Sequence, residues 1–190
     1  MDALVVAIVG GYANDPNDAR GATNHSVIEQ VARAHGYKGA MASLPKGMAQ
    51  EIYITTYIEA PRYADVLLMS PAVGTKLVDA GVNTGTGRAS RAFQQSLNDL
   101  SRAGRDYTLI SVDGAIGGQT LDAYRALEKR RGRIKACELT LKLLDGYQAA
   151  HYTTLAKNPG QASFLVGWLD HHIGNVPASR CAETVVIDHE

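Results

Sequence analysis

Apolar side chains recur every three or four residues along much of the chain, which is the spacing of one face of an α-helix. The first such segment follows Ser26, a residue that can cap a helix, and stops at Gly36. Its apolar face comprises Ile28, Val31, Ala32 and His35. Residues 46–58 have the same periodicity. The pattern therefore predicts two helices in the first third of the chain.

A helical hairpin is predicted in the middle of the chain, where two apolar faces flank a run of turn-forming residues. The first face comprises Val73, Leu77 and Ala80, and the second Ala89, Ala92, Phe93, Leu97 and Leu100. Between them, residues 83–87 read Asn-Thr-Gly-Thr-Gly, a composition that favours a turn. The two faces are expected to pack against each other.

Three later segments, residues 120–130, 134–156 and 164–172, also have helical spacing. The alternating residues 183–187 predict a terminal strand or an extended arm. Helices with one apolar face each must bury those faces against one another. The whole pattern predicts a mainly α fold.

The N-terminal region has a different pattern. Residues 3–9 are apolar without interruption, but Asp2 stands where a secretion signal carries positive charge, and the run is too short to span a bilayer. We interpret this run as a first buried helix and expect synthesis in the cytoplasm without a signal peptide. Residues 10–25 are rich in turn formers and lack an apolar period, which predicts an exposed loop or a short hairpin.

Composition limits the classes of function. A chain of 190 residues that is 45% apolar and 20% charged can bury one core, which favours a single domain. Nineteen basic and nineteen acidic residues give a formal charge of zero, so no global field favours nucleic acid. The basic cluster within residues 125–135 is interpreted as a solvated helix end. Cys137 and Cys181 lie in unlike contexts and predict neither a zinc site nor a disulfide framework, which fits a reducing cytoplasm.

Several short motifs could carry chemistry, but each also has a structural interpretation. Asp15 and Asp18 form a carboxylate pair that could bind calcium or transfer protons, although their turn-rich surroundings favour a plain turn. The Gly-x-Gly at 85–87 follows a helix and is interpreted as its end. Residues 113–120 predict a tight turn that leads into a helix capped near Thr120. Neighbouring His171 and His172 would point in different directions on a helix, so no metal site is predicted.

Five motifs occur in a fixed order. They are Gly10-Gly11-Tyr12-x-Asn14-Asp15-Pro16-x-Asp18, Gly21-x-Thr23-Asn24, Val78-Asp79-Ala80-Gly81-Val82-Asn83-x-Gly85, Asp113-Gly114-x-Ile116-Gly117-x-x-Thr120-Leu121 and Phe164-x-x-Gly167-Trp168-Leu169. Together they resemble glycoside hydrolase family 108 over residues 4–173. The resemblance implies a lysozyme-like, α-rich fold. Members of that family include phage endolysins and secretion-associated muramidases, which cut the glycan strands of peptidoglycan.

The same resemblance identifies site positions and one departure. The family's catalytic motif reads Glu-Gly-Gly-Tyr, with a further acid about nine positions later and a threonine beyond it. Asp18 and Thr23 occupy the two later positions, but Val9 stands in place of the glutamate that protonates the glycosidic oxygen. The substrate-binding positions that the resemblance implies are Tyr12, Asn24, Tyr57 and Asn83. No metal or cofactor is expected.

Other departures from the family pattern are expected to line the cleft. The Gly-Gly-Glu-Thr stretch is replaced at residues 20–23, the following aromatic-Gly-Ile is His25-Ser26-Val27, and a Tyr-Trp pair is replaced by Tyr57-Ile58. Glu29, Glu51 and Glu59 are other acids, but no motif places them at the leaving oxygen. These changes suggest that the fold was kept while the hydrolase function was lost.

Three functions are consistent with this sequence. The preferred one is a catalytically impaired muramidase-fold protein that binds the cell wall or serves as architecture in a phage particle or a secretion apparatus. An active N-acetylmuramidase with a relocated acid is the first alternative, and an interaction module without glycan contact is the second. The expected muramidase-like domain covers residues 1–175. Residues 176–190 form a tail that could add a strand to a protein partner or could equally be a frayed terminus.

Overall fold

The computed structural model describes residues 11–14 and 21–184. Secondary structure within these ranges is overwhelmingly helical, with one two-stranded antiparallel hairpin near the N-terminus. The prediction of a mainly α fold with a small hairpin is therefore confirmed. The predicted first helix at residues 3–9 lies outside the described residues, as does most of the predicted terminal strand; its described residues, 183 and 184, are not in a strand.

The chain divides into two compact units, residues 1–60 and 61–190. In the first unit, strand β1 (Thr23–Asn24) pairs with β2 (Val27–Ile28), and helix α1 (Glu29–Ala34) follows directly. A short 3-10 turn (Met41–Ser43) leads to α2 (Lys46–Ile54). Small and medium apolar side chains from these elements form the core of the unit; they are Ala22, Val27, Ala32, Met41, Leu44, Ala49 and Ile52.

Helix α2 is shorter than the predicted helix over 46–58. After Ile54 the backbone widens into a π-helical turn (Thr55–Glu59), in which the Ala60 amide donates to the Thr55 carbonyl at 3.0 Å. Wide turns of this kind interrupt α-helices often at functional positions. Periodicity alone could not predict this change, because apolar spacing does not distinguish the two helix types over a single turn.

The second unit contains the predicted helical hairpin and the long C-terminal helices. Its helices are α3 (Tyr63–Met69), α4 (Pro71–Thr84), α5 (Thr86–Leu100), α6 (Gly118–Arg131), α7 (Arg133–Leu155), α8 (Pro159–Ala162) and α9 (Leu165–His172). A final 3-10 turn (Ala178–Ala182) follows. Pro71 begins α4, where its missing amide costs no hydrogen bond. Gly85 separates α4 from α5 with a φ of 89°, a backbone conformation that disfavours any side chain.

Helix α4 is the centre of the second unit and packs against α3, α5 and α7. The largest fully buried side chains here include Tyr63, Leu77, Phe93, Tyr124 and Leu144. Gly74 allows α3 and α4 to approach closely, since a Cβ atom at this position would lie 2.7 Å from the Leu67 Cα atom. Within the described residues, no helix is long and apolar enough to cross a membrane.

Candidate functional site

The first predicted cleft positions lie at the N-terminal hairpin. Ala13 forms a two-way backbone bridge with Thr23, with both amide-to-carbonyl distances at 2.8 Å. Tyr12 therefore lies next to a residue that pairs with the β1 strand, and it is 51% exposed. Val9 and Asp18 lie outside the described residues, so the site positions that the family resemblance gives them stay predictions.

The hairpin turn itself consists of His25 and Ser26, which both have positive φ angles of 49° and 62°. Two consecutive residues of this conformation match the twist of the flanking strands, although glycine and asparagine usually occupy such positions. These two side chains replace an aromatic-glycine pair of the family pattern. Both are half-buried.

The expectation that all departures from the family pattern line a cleft is wrong for three residues. Ala22, Val27 and Ile58 are 7%, 0% and 5% exposed, respectively. Ala22 and Val27 belong to the apolar core of the first unit. Their side chains fill the interior, where helix and hairpin must pack, so these residues are not free to bind a ligand.

Two of the predicted substrate-binding residues are also enclosed. Asn24 is 4% exposed, and its amide nitrogen donates to the Met41 carbonyl at 2.8 Å. This bond joins the hairpin to the 3-10 turn and satisfies a buried polar group. Tyr57 is 6% exposed, and its ring centroid lies 5.3 Å from that of Tyr53. A role of either residue in sugar binding stays a prediction.

The three alternative acids differ in their surroundings. Glu51 and Glu59 are exposed on α2 and on the π-helical turn. Glu29 lies at the base of the hairpin, where a Cβ atom added to Gly21 would lie 3.9 Å from its Oε2 atom. Its Oε1 atom accepts two hydrogen bonds from Arg33, at 2.7 and 3.2 Å. Glu29 therefore lies beside the motif that contains Thr23, but it is ion-paired.

In the second unit, Asn83 belongs to a polar cluster on α4 and α9. Its Nδ2 atom contacts the Asp79 carbonyl at 2.9 Å and the His172 Nδ1 atom at 3.2 Å. His172 Nδ1 also lies 2.9 Å from Asp79 Oδ1. The Asn83 amide is thus engaged within the protein, where it joins the end of α4 to α9.

A fully buried cation lies beside this cluster. Lys76 forms an ion pair with Asp145 of α7 at 2.6 Å and a longer one with Asp79 at 3.8 Å. Its ammonium also donates to the His172 carbonyl and, at 3.1 Å, to Asn175 Oδ1. A buried charge requires such partners, because its loss of hydration must be compensated. Lys76 therefore connects α4, α7 and the segment after α9.

An open cleft of about 550 Å³ lies between α4, α5 and α7 of the second unit. Its lining includes Arg88 and Arg91 of α5 and a row on α7 formed by Leu144, Tyr147, Gln148 and His151. Burial, followed by the nearby Arg88 cation, lowers the pKa of His151. The ring is therefore neutral at neutral pH, so the arginines supply the positive charge of the cleft.

The turn before α6 is structural, as the sequence predicts. Gln94 of α5 donates to Asp113 Oδ1 at 2.8 Å and accepts from the Gly114 amide at 2.7 Å. Hydrogen bonds from the Ala115 amide and from Gln94 lower the pKa of Asp113. Thr120, however, does not cap the helix. It lies inside α6, where it is buried and accepts a bond from Gln94 at 3.3 Å.

The prediction for the two cysteines is wrong. Cys137 of α7 and Cys181 of the final 3-10 turn form a disulfide with a Cα–Cα distance of 5.7 Å and a sequence separation of 44. Arg133 also donates to the backbone carbonyls of Ala182 and Glu183, at 3.2 and 2.7 Å. The pairing was missed because the two cysteines approach each other only after the chain has turned back across α7.

Family models cover most of the chain. Residues 3–85 match the model described as Glycosyl hydrolase 108, and residues 88–173 match the model described as Predicted Peptidoglycan domain. Residues 3–85 belong to the glycosyl hydrolase 108 family. The predicted resemblance is therefore confirmed, and the chain is a peptidoglycan-related protein.

The solved structure of Brucella abortus SagA is similar to this chain. It has 23% sequence identity and a TM-score of 0.68, and the similarity covers 95% of this chain and 90% of SagA. At this identity the similarity establishes the fold alone. Among curated proteins no match is found.

The candidate site residues are divided between the two matched segments. Position 9, Thr23, Asn24, Tyr57 and Asn83 all fall within the first match. The cleft arginines and the α7 row fall within the second. Sequence reasoning missed this α7 row, although one signal was available. Gln148 lies among the apolar residues of the buried face of α7. A polar residue at such a position indicates a buried polar network.

Proposed function

We propose that this protein binds peptidoglycan through a muramidase fold that has lost its general acid. It would act at the cell wall, as a component of a phage particle or of a secretion apparatus. The observation that supports impaired catalysis is Val9 at the position of the family's catalytic glutamate. The match to the predicted peptidoglycan domain supports retained binding.

The chemistry of glycoside cleavage explains why one residue matters. A carboxylic acid must protonate the leaving oxygen of the glycosidic bond, and its loss costs on the order of 10²–10⁴ in rate. A valine side chain has no proton to transfer. Binding surfaces elsewhere in the protein do not depend on this proton, so recognition of the wall can persist without cleavage.

A second candidate function is an active muramidase in which Glu29 replaces the missing acid. The position of Glu29 beside Gly21 favours it over the other acids, since Gly21 belongs to the same motif as Thr23. Its ion pair with Arg33 argues against it, because a carboxylate held by a guanidinium acts as an acceptor rather than as a proton donor. Proton transfer would require this pair to open.

A paired assay on the complete protein distinguishes these functions. We expect the protein to sediment with purified sacculi and to release no measurable reducing sugar near neutral pH. Clear release of reducing sugar that Glu29→Gln abolishes would establish a relocated acid and contradict the proposal. Glu138→Gln, on α7 and paired only with Lys135 at 3.1 Å within the described residues, is a matched control for the loss of one carboxylate.

The same experiment tests the interaction-module alternative. A protein that neither sediments with sacculi nor releases sugar would have no contact with glycan, and peptidoglycan binding would then be ruled out as its function.

A further inference from the structure

We propose that the cleft between α4, α5 and α7 binds a peptidoglycan group that combines a carboxylate with a neighbouring amide or hydroxyl donor. This chemistry occurs in the lactyl group of a muramic acid that carries no stem peptide. It also occurs in the stem peptide itself, whose attachment converts the lactyl carboxylate into an amide. The inference rests on the proposed function that the protein binds peptidoglycan. It adds the location of the site and the chemical class that the site selects.

The first argument is an unpaired acceptor in the cleft wall. Gln148 lines the cleft and is 4% exposed, yet its Oε1 atom has no hydrogen-bond partner within residues 11–14 and 21–184. Its Nε2 atom is already used, at 2.8 Å to the Tyr152 hydroxyl and at 3.4 Å to Asp79 Oδ2. Because a carboxylate can only accept, the Asp79 contact fixes the amide orientation and leaves the oxygen for a donor.

An unmade hydrogen bond at a buried oxygen is unfavourable, and a ligand donor that reaches it recovers the loss. The N–H of an acetamido or peptide group and the O–H of a sugar are suitable donors. The ligand must therefore present an N–H or O–H to α7.

The second argument is an available cation. Arg88 is exposed and lines the cleft, and its guanidinium makes no hydrogen bond or ion pair within the described part of the chain. The guanidinium of the neighbouring Arg91 is less available, since it donates to the Gly87 carbonyl at 3.3 Å and would lie 3.3 Å from a Cβ atom added to Gly114. Guanidinium groups bind carboxylates through two parallel hydrogen bonds. An anionic ligand group thus has a specific partner in Arg88.

The third argument is the shape and the apolar part of the lining. Ala92, Val112 and Leu144 contribute apolar surface, and Tyr147 adds an aromatic ring whose hydroxyl donates to Asp99. That bond fixes the ring, so that it can contact the apolar face of a sugar or an acyl chain. A volume of about 550 Å³ lies within the range of about 300–1,000 Å³ that is typical of small-molecule sites.

The test is calorimetric titration of the complete protein with three probes. The disaccharide of N-acetylglucosamine and N-acetylmuramic acid carries the lactyl carboxylate, a free stem tripeptide carries peptide carboxylates, and chitobiose carries neither. We expect one of the two anionic probes to bind at least tenfold more tightly than chitobiose. Whichever binds identifies the source of the carboxylate.

Variants then assign the site. Arg88→Gln should weaken binding of the anionic probe about tenfold or more, as expected for the loss of a charged hydrogen bond. Arg125→Gln, an exposed arginine paired with Asp122 on α6, should leave it unchanged. Equal affinity of Arg88→Gln and the unaltered protein overturns the inference. So does sedimentation with sacculi without binding of any probe, a result that leaves the proposed function standing. Absence of sedimentation contradicts both.

Discussion

At the scale of single residues, the effect of a substitution on stability depends on the atoms that surround the position. Gly74 and Gly146 both lie inside helices, α4 and α7, and composition treats them alike. A Cβ atom at Gly74 would lie 2.6–2.7 Å from three atoms of Leu67, whereas a Cβ atom at Gly146 would have nothing within 4 Å. The first glycine is required by packing between helices, and the second only weakens its helix.

We therefore expect Gly74→Ala and Gly146→Ala to change stability in opposite directions. Gly74→Ala should lower the free energy of unfolding by about 1–3 kcal/mol, because the backbones of α3 and α4 must separate. Gly146→Ala should raise it by about 0.5–1 kcal/mol through helix propensity. Urea denaturation of both variants measures the difference. Equal effects would contradict the close approach of the two helices.

Asp106 shows how a single side chain can make stability depend on pH. Its side chain is 2% exposed and accepts from Arg102, Arg130 and Arg131, with closest distances of 2.6, 3.1 and 2.9 Å. The hydrogen bond from Arg102 is the main cause that lowers its pKa from 3.8 to about 2. A carboxylate whose pKa is lower in the folded state stabilises the fold above its unfolded pKa.

The contribution of Asp106 should be complete above about pH 4 and should be lost as the pH falls from 4 towards 2. Denaturation curves across this window should show a decrease in stability for the unaltered protein. In Asp106→Asn the stability should be lower at neutral pH and should change less across the same window. An identical pH profile in both proteins would mean that other carboxylates cause the acid response.

At the scale of elements, the C-terminal 3-10 turn illustrates how distant segments are held together. The turn contacts α7 and α4. It is attached to α7 by the disulfide between Cys137 and Cys181 and by the two hydrogen bonds from Arg133. Lys76 reaches the chain just upstream, at His172 and Asn175. These contacts place residues 172–183 against the helical core, so this part of the predicted tail is an integral part of the unit.

Reduction of the disulfide should lower the free energy of unfolding by about 2–4 kcal/mol, since a cross-link over 44 residues restricts the unfolded chain strongly. Thermal unfolding with and without a reductant measures this, and Cys137→Ser with Cys181→Ser should reproduce the reduced value without responding to reductant. A stability unchanged by reduction would show that the covalent bond contributes nothing beyond the contacts around it.

At the scale of the whole molecule, catalysis requires more than one restored group. Val9→Glu would return a carboxyl to the family's motif, but we expect at most weak release of reducing sugar from sacculi. The acid must lie within hydrogen-bond reach of the leaving oxygen, and a small misplacement can cost on the order of 10²-fold in rate. His25 and Ser26 replace the aromatic-glycine pair of the family pattern in the hairpin turn.

Val9→Gln is the control for Val9→Glu, because it has nearly the same shape and cannot transfer a proton as an acid. Robust sugar release by Val9→Glu and none by Val9→Gln would show that only the acid was missing. The protein would then be a muramidase inactivated at one position.

Local patterning predicted most helices of the second unit, although no sequence pattern predicted α3 or α8. The apolar spacing that predicts helices over 120–130 and 134–156 corresponds to α6 and α7, because those helices bury one face each and end at residues that disfavour helix, such as Gly132. The ordered motifs also determined the glycosyl hydrolase 108 relationship. Helices and motifs depend on residues that are near one another in sequence, so both can be predicted without a structure.

Tertiary structure alone decided which side chains meet. It buried Ala22, Asn24 and Ile58, which the family pattern assigned to a cleft, and it joined Cys137 to Cys181. It also brought Arg88 of α5 and Gln148 of α7 to one cleft, 60 positions apart in sequence. The spacing of apolar residues shows which face of a helix is buried. It does not show which other helix covers that face, because this depends on how the helices cross. Most of the helices could therefore be predicted from the sequence, whereas the candidate cleft required the packed structure.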